Sequence, residues 1–223
     1  MVFPRPIRAV VFDMDGLIVD SEVLIRDLMI KLAPAYGGAL PEAVFQQMVG
    51  LPSAESDRLA RAHFGPAFPL EAFYADVDRR IHAACEAGLD LKAGAVELLD
   101  HLDARAVPRA IATSSSHAAV RRTLGPSGVL PRFHAVVAAG DYPRGKPSPD
   151  PFLMAAERLC VAPADCLALE DSHNGVRAAQ AAGMMTVMVP DLLAPTPEMR
   201  ALCVAVMETL HEVRHALAPA GVL

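Results

Sequence analysis

Two carboxylates two residues apart, Asp13 and Asp15, are followed at once by Gly16. In a loop both can face one point, and Gly16 lets the chain turn sharply there. A hard divalent cation, most aptly Mg2+, suits a position between Asp13 and a second acidic pair, Glu170-Asp171. Taken alone, an Asp-x-Asp is more often a solvated turn. Thr113-Ser114-Ser115-Ser116 offers hydroxyls and N–H groups that can hold phosphoryl oxygens at a helix N-terminus. The same string also reads as a helix N-cap. The two readings are compatible, since one serine can cap while the threonine binds. Lys146 stands between Gly145 and Pro147, with Pro149 just beyond. A stiff loop with one cation presents a point charge to phosphate well, although a lone loop lysine is also ordinary surface. Ser172-His173-Asn174-Gly175 reads as a helix start.

What must position these residues is legible from the apolar pattern. Residues 8–13 form a β-rich apolar run without alternation, ending in an acid. Such a run suits a parallel sheet covered on both faces. Pro108–Thr113, His134–Ala138, Cys166–Leu169 and Met185–Val189 look similar, each followed by hydroxyl-bearing, acidic or turn residues. Helical patterns at Ala95–Ala104, His117–Leu124, Pro151–Leu159 and Asn174–Ala182 separate them. Strand alternating with helix predicts an α/β fold, a parallel Rossmann-like three-layer core with right-handed crossovers. Ligands of open parallel sheets sit off the carboxyl ends of the strands. The acids, hydroxyls and lysine therefore converge on one sheet edge.

Residues 19–91 break the alternation. Helical periodicity runs through Leu24, Leu28 and Leu32, then Pro41–Val49, Ser53–Phe64 and Leu70–Ala87, with Pro and Gly between. The spacing predicts a four-helix cap inserted after the first strand, with core domain 1–18 and 92–223 around cap domain 19–91. A cap there would lie over the site as a lid; the alternative is a fixed layer packed on the sheet. Gly88 and Gly94, near one connection, are the expected hinge residues. Cys203–Met207 reads as a short edge strand and Thr209–Leu217 as a last helix.

Composition narrows the classes. The 223 residues are 53% hydrophobic and 21% charged, which excludes a disordered chain. A net charge of −6 with no basic stripe argues against nucleic acid as a partner. Mean hydropathy is +0.31, yet the apolar runs fall far short of the roughly 18 residues of a membrane span. No membrane partner and a cytoplasmic location are expected. Cys85, Cys160, Cys166 and Cys203 lack metal-site spacing and read as buried reduced thiols.

The order of motifs resembles that of the haloacid dehalogenase-like hydrolases. Asp13-Met14-Asp15-Gly16-Leu17-Ile18-Val19-Asp20-Ser21-Glu22 is similar to their first motif, Thr113 to the second, Lys146 in Gly-Lys-Pro-x-Pro-Asp-x-Phe to the third, and Glu170-Asp171-Ser172-x-x-Gly-Val to the fourth. The insert falls where the subfamily with a small helical cap has it, and the resemblance covers nearly the whole chain. It implies Asp13 as a nucleophile that becomes an aspartyl phosphate. Asp15 would protonate the leaving oxygen and then activate water. Mg2+ would be held by the Asp13 side chain, the Asp15 carbonyl and Asp171, with Glu170 assisting. Thr113, Ser114, Ser115 and Lys146 would bind the transferring group. The implied reaction is hydrolysis of a small phosphorylated metabolite by a monomer or weak dimer.

Departures from relatives sharpen that expectation. Dehalogenases of this superfamily lack the second acid of the first motif; Asp15 is present. Phosphonatases use a cap lysine, and Lys31, the only lysine of the insert, has the wrong context. β-Phosphoglucomutases carry a histidine where Ile25 stands, and an arginine in the cap loop that here reads Gly50-Leu51-Pro52-Ser53. A mutase remains the first alternative and a non-catalytic binding protein on the same fold the second. Ala93 stands where relatives carry proline before Gly94.

Overall fold

A computed structural model describes residues 3–51 and 53–218. Six parallel strands form one sheet in the order β3-β2-β1-β4-β5-β6. They are β1 (Ala9–Phe12), β2 (Arg109–Ser116), β3 (Ala135–Ala139), β4 (Cys166–Glu170), β5 (Met185–Met188) and β6 (Ala205–Val206). Period-two alternation sends Val10 and Phe12 to one face and Ala9 and Val11 to the other. On the first face lie α5 (Ala95–Asp103), α6 (His117–Leu124) and α10 (Leu210–Leu217), contributing Leu98, Leu102, Val120, Leu124 and Val213. The second face is covered by α7 (Asp150–Arg158) and α8 (His173–Ala181), where Phe152 and a set of alanines bring helix and sheet close. The fold is thus the α/β Rossmann-like three-layer type expected. A short helix α9 (Pro197–Leu202), capped by Thr196, precedes β6 and had no clear signal in the sequence.

Residues of the insert form α1 (Ser21–Leu32), α2 (Glu42–Met48), α3 (Ser53–Phe64) and α4 (Leu70–Ala87). These helices bury their own apolar cluster, centred on Met29, Phe45, Met48 and Phe73. The two connections to the sheet pair with each other. Val19 forms an antiparallel bridge with Leu91, the Asp20 N–H donates to Asp90, and the Lys92 N–H donates to Ile18. Lys92 Nζ also reaches Asp191 at 2.7 Å and Asp20 at 3.5 Å, tying both connections to the loop after β5.

Two expectations change. Gly94 does not have the freedom of a hinge residue. It is left-handed, at φ +88°, and a Cβ there would fall 2.3 Å from the His211 nitrogen, so its role is close packing against the start of α10. Gly88, also left-handed, has only Pro126 nearby, at 3.9 Å. Cys160 is exposed rather than buried, because it follows α7 in a left-handed turn at φ +55°, and Cys203 is only half-buried; the four cysteines are free. No helix among the described residues is long and apolar enough to cross a membrane.

Candidate active site

Register brings the chemistry together. Phe12 pairs with Leu169 on one side and Ile111 on the other. The next residues, Asp13 and Glu170, therefore leave adjacent strands at the same level, and the Asp13 N–H donates to the Leu169 carbonyl at 3.0 Å. Lys146, in the loop before α7, reaches both: its Nζ donates to Asp13 Oδ1 at 2.6 Å and to Glu170 Oε1 at 2.5 Å. Nζ also stands 5.2 Å over the Phe152 ring, a favourable seat for a buried cation. Burial pushes the lysine pKa down, but Asp13 and Glu170 outweigh it and hold the ammonium charged.

Glu170 is completely buried. Its second oxygen accepts from the Ser172 Oγ at 3.0 Å and the Ser172 N–H at 3.3 Å. Ser172 also caps α8 by accepting from the Gly175 N–H, so the predicted helix start is a part of the site's wall. Asp171 is 3% exposed, and its Oδ1 has no hydrogen-bond partner. Burial, then Asp13 and Glu170, push its pKa well up. Oxygens of Asp13, Glu170 and Asp171 lie within 4.8 Å of one another. Gly16 turns at φ +76° beneath them, where a Cβ would fall 2.4 Å from Asp171 Oδ2. Hard oxygen donors crowded around an unpartnered buried carboxylate fit a Mg2+ ion. The side chain of Asp15 stands apart from this cluster.

Asp15 is held instead by two hydroxyls. Ser21 Oγ donates to its Oδ1 at 2.7 Å and Ser115 Oγ to its Oδ2 at 2.8 Å. Burial and the neighbouring Asp13 raise its pKa, against those two hydrogen bonds. Thr113 is buried and its Oγ1 accepts from the Ser115 N–H at 3.0 Å. Ser114 is exposed and lines the cavity, and Ser116 caps α6. The serine string thus divides between capping and lining, as its two readings allowed. Asp13, Asp15, Thr113, Ser114, Ser115, Lys146 and Asp171 all line one cavity of about 490 Å³. Glu170 stands behind Lys146 rather than on the wall.

Four residues of this region were not singled out from sequence. Ser21 belongs to α1, so the insert itself grips Asp15. Glu22, next to it, carries a buried oxygen with no partner, and burial with Asp191 beside it pushes its pKa up to about 8. Asp191 completes a second group of close carboxylate oxygens with Glu22 and Asp171. Asn174, on α8, donates to the Gly50 carbonyl of the insert at 2.6 Å. Ser21 and Glu22 lie in the first motif, and Asp191 lies in the loop after β5; only position marked them. Conversely, Asp141, at the end of β3, is no part of the site. It accepts from the Ala138 N–H, His117 and Arg158 and closes the strand end. Lys31 lies exposed in the last turn of α1. The cap loop that lacks the mutase arginine includes Pro52, which lies outside the described residues.

Known proteins agree with this architecture. Residues 7–183 match the family model of the haloacid dehalogenase-like hydrolases. A probable pseudouridine-5'-phosphatase of Drosophila melanogaster is 38% identical over 193 residues, covering 84% of this chain and 83% of that protein. Hexitol phosphatase A of Escherichia coli is 32% identical over 216 residues, covering 96% of each. The crystal structure of a hydrolase of the same family from Deinococcus radiodurans, with bound phosphate and sodium, superimposes with a TM-score of 0.80 at 29% identity over 98% of both chains. With its sheet, its strand-end carboxylates and a family match over most of its length, the chain belongs to the haloacid dehalogenase-like hydrolases, and within them to the phosphatases.

Proposed function

We propose that the protein hydrolyses the phosphate monoester of a small metabolite, with Mg2+ as cofactor. The observation that carries this is Lys146 Nζ seated between Asp13 and Glu170, with unpartnered Asp171 beside them. Asp13 attacks phosphorus and takes the phosphoryl group as an aspartyl phosphate. Lys146 offsets the repulsion between that carboxylate and the incoming dianion, and Glu170 fixes the lysine in place. Thr113, Ser114 and Ser115 border the space for phosphoryl oxygens. Asp15, its pKa raised by burial and by Asp13 and its side chain aimed by Ser21 and Ser115, gives a proton to the leaving oxygen, then takes one from the attacking water. Asp13, Asp171 and the Asp15 carbonyl, with Glu170 close by, would hold Mg2+. The ion supplies charge neutralisation for the meeting of two anions. The core 1–18 and 92–223 carries this machinery, and the cap 19–91 covers it.

A phosphatase is favoured over a mutase because Lys146 is the only Lys, Arg or His lining the cavity among the described residues. A mutase must also hold a second phosphate. The related phosphatases act on phosphorylated sugars and nucleosides, which supports a small polar alcohol as the leaving group. A non-catalytic role accords poorly with the intact set Asp13, Asp15, Lys146 and Asp171. The test is turnover of p-nitrophenyl phosphate by the wild type and by Asp13→Asn, with Mg2+ and with excess chelator. Turnover should need Mg2+ and vanish in the variant. Activity of Asp13→Asn within tenfold of wild type, or full activity in chelator, would refute the reading.

A further inference from the structure

The cavity that holds Asp13 and Lys146 opens into a second one, of about 310 Å³, inside the cap. The two share Glu22, Ile25, Gly50 and Leu51 as a common wall. Beyond that wall the character changes. Met29, Phe45 and Met48 line the inner chamber, and Asp57 and Tyr74 lie on its polar side. Thioether and ring surfaces adapt closely to a flat ring. No Lys, Arg or His lines the inner chamber among the described residues. A second phosphate or a carboxylate finds no partner there, whereas a group carrying N–H donors does. Tyr74 keeps its proton, since burial and then the Asp57 charge push it up to about 12. With Ser56 beside them, the polar side therefore offers two hydroxyls and one carboxylate, complementary to an edge with adjacent N–H and C=O groups. At the junction Glu22 presents a buried oxygen without a partner, where a sugar hydroxyl can donate.

We propose that the inner chamber is a leaving-group subsite for the base of a nucleoside 5'-monophosphate, with Asp57 accepting from a base N–H and Glu22 from the sugar. The proposal rests on the phosphatase reading for the phosphoryl end and assigns what lies beyond it. Ile25 and Leu51 border the passage where the sugar would lie, and the Asn174–Gly50 hydrogen bond holds the cap loop over it.

The experiment compares uridine 5'-monophosphate with ribose 5-phosphate, which carries an anomeric hydroxyl in place of the base, on the Mg2+-loaded protein. The nucleotide should have a kcat/KM at least about tenfold higher, as expected for one hydrogen bond to a charged group plus ring burial. Asp57→Ala should remove about tenfold on the nucleotide and stay within twofold on ribose 5-phosphate. Met48→Trp, which fills the chamber, should do the same, and retained ribose 5-phosphate turnover shows that each variant is folded. Free uridine should inhibit ribose 5-phosphate hydrolysis in the wild type and not in Met48→Trp. If ribose 5-phosphate is hydrolysed but the nucleotide is no better, or both variants lose both substrates equally, the subsite is wrong and the phosphatase reading stands. If neither ester is hydrolysed, p-nitrophenyl phosphate turnover decides the phosphatase reading. Calorimetric binding of the nucleotide then decides the subsite alone: weaker binding to Asp57→Ala supports it, and equal affinity overturns it.

Discussion

Replacing Gly175 by alanine puts a methyl group where Glu170 stands. An ideal Cβ at Gly175 falls 1.9 Å from Glu170 Cδ and 2.0 Å from each carboxylate oxygen. Ordinary carbon contacts are about 3.5–4 Å, so one group must move by roughly 1.5–2 Å. Glu170 has no solvent to swing into, since it is fully buried. Moving it breaks the 2.5 Å pair with Lys146 and both hydrogen bonds with Ser172. Overpacking costs about 1–3 kcal/mol, and breaking a buried pair about 3–5 kcal/mol. Alanine returns about 1 kcal/mol over glycine in a helix interior. A net loss of about 2–4 kcal/mol is expected, since partial relaxation trades one cost against the other. In a chain of this size that lowers Tm by roughly 5–15 °C. Lys146 loses its seat as well, and a displacement of about 1 Å in a catalytic group costs on the order of 100-fold in kcat. Differential scanning calorimetry and p-nitrophenyl phosphate turnover read the two effects separately. Placing Gly175→Ala in a Glu170→Ala background removes the obstacle, so there it should cost no further stability. A single variant with Tm within about 2 °C and kcat within about twofold of wild type would refute the idea that Glu170 is wedged in place to aim Lys146.

Three further outcomes follow from the same geometry. Asp15→Ala should slow alkyl phosphates by roughly 100-fold or more but p-nitrophenyl phosphate by less than about tenfold, because that leaving group departs without a proton; equal losses would mean that Asp15 serves another purpose. Replacing Mg2+ by Ca2+ should inhibit turnover, since Ca2+ accepts more ligands at longer range, and undiminished rates in Ca2+ would count against a tightly ordered cation site. Asp141→Ala should lower stability by about 1–3 kcal/mol in denaturant titrations at neutral pH. Burial opposes the Asp141 charge, but the Ala138 N–H, His117 and Arg158 hold its pKa well below the usual carboxylate range. Its stabilisation is therefore complete above the unfolded value of about 3.9 and is lost as pH falls toward the folded one. Variant and wild type should converge in acid; a difference that persists there would point to packing instead of charge.

The sheet was legible because its strands are continuous apolar runs and their ends change character within one residue. Val10-Val11-Phe12 followed by Asp13, and Leu167-Ala168-Leu169 followed by Glu170, mark both a buried strand and the level at which it leaves the core. Parallel register then does the rest, since pairing Phe12 with Leu169 sets the two acids side by side. Asp141 also follows an apolar strand, yet it takes no part in the site. Its partners come from α6 and α7, and no pattern within β3 could indicate that His117 and Arg158 would claim it.

What the sequence did not disclose depends on contacts between distant segments. Ser21 and Glu22 sit in the first motif, yet their use is set by how α1 leaves the first connection and leans over Asp15 and Asp171. Ile25, one turn further on, borders both cavities only because that helix presents it there. The two glycines of the second connection make the point most sharply. Gly88 and Gly94 are indistinguishable in sequence and nearly so in backbone, at φ +90° and +88°. Their surroundings differ: only Pro126 at 3.9 Å at one, and the Leu210–His211 backbone within 3 Å of a Cβ at the other. Gly94 is needed so that α5 and α10 can meet over the apolar face of the sheet. Lys92, two residues earlier, is fixed to Asp191, so the connection is anchored from there onward. Any rotation of the cap on this side must therefore be taken up before Lys92, in the stretch from Gly88 to Leu91, whose Asp90 and Leu91 are paired to Asp20 and Val19 of the other connection.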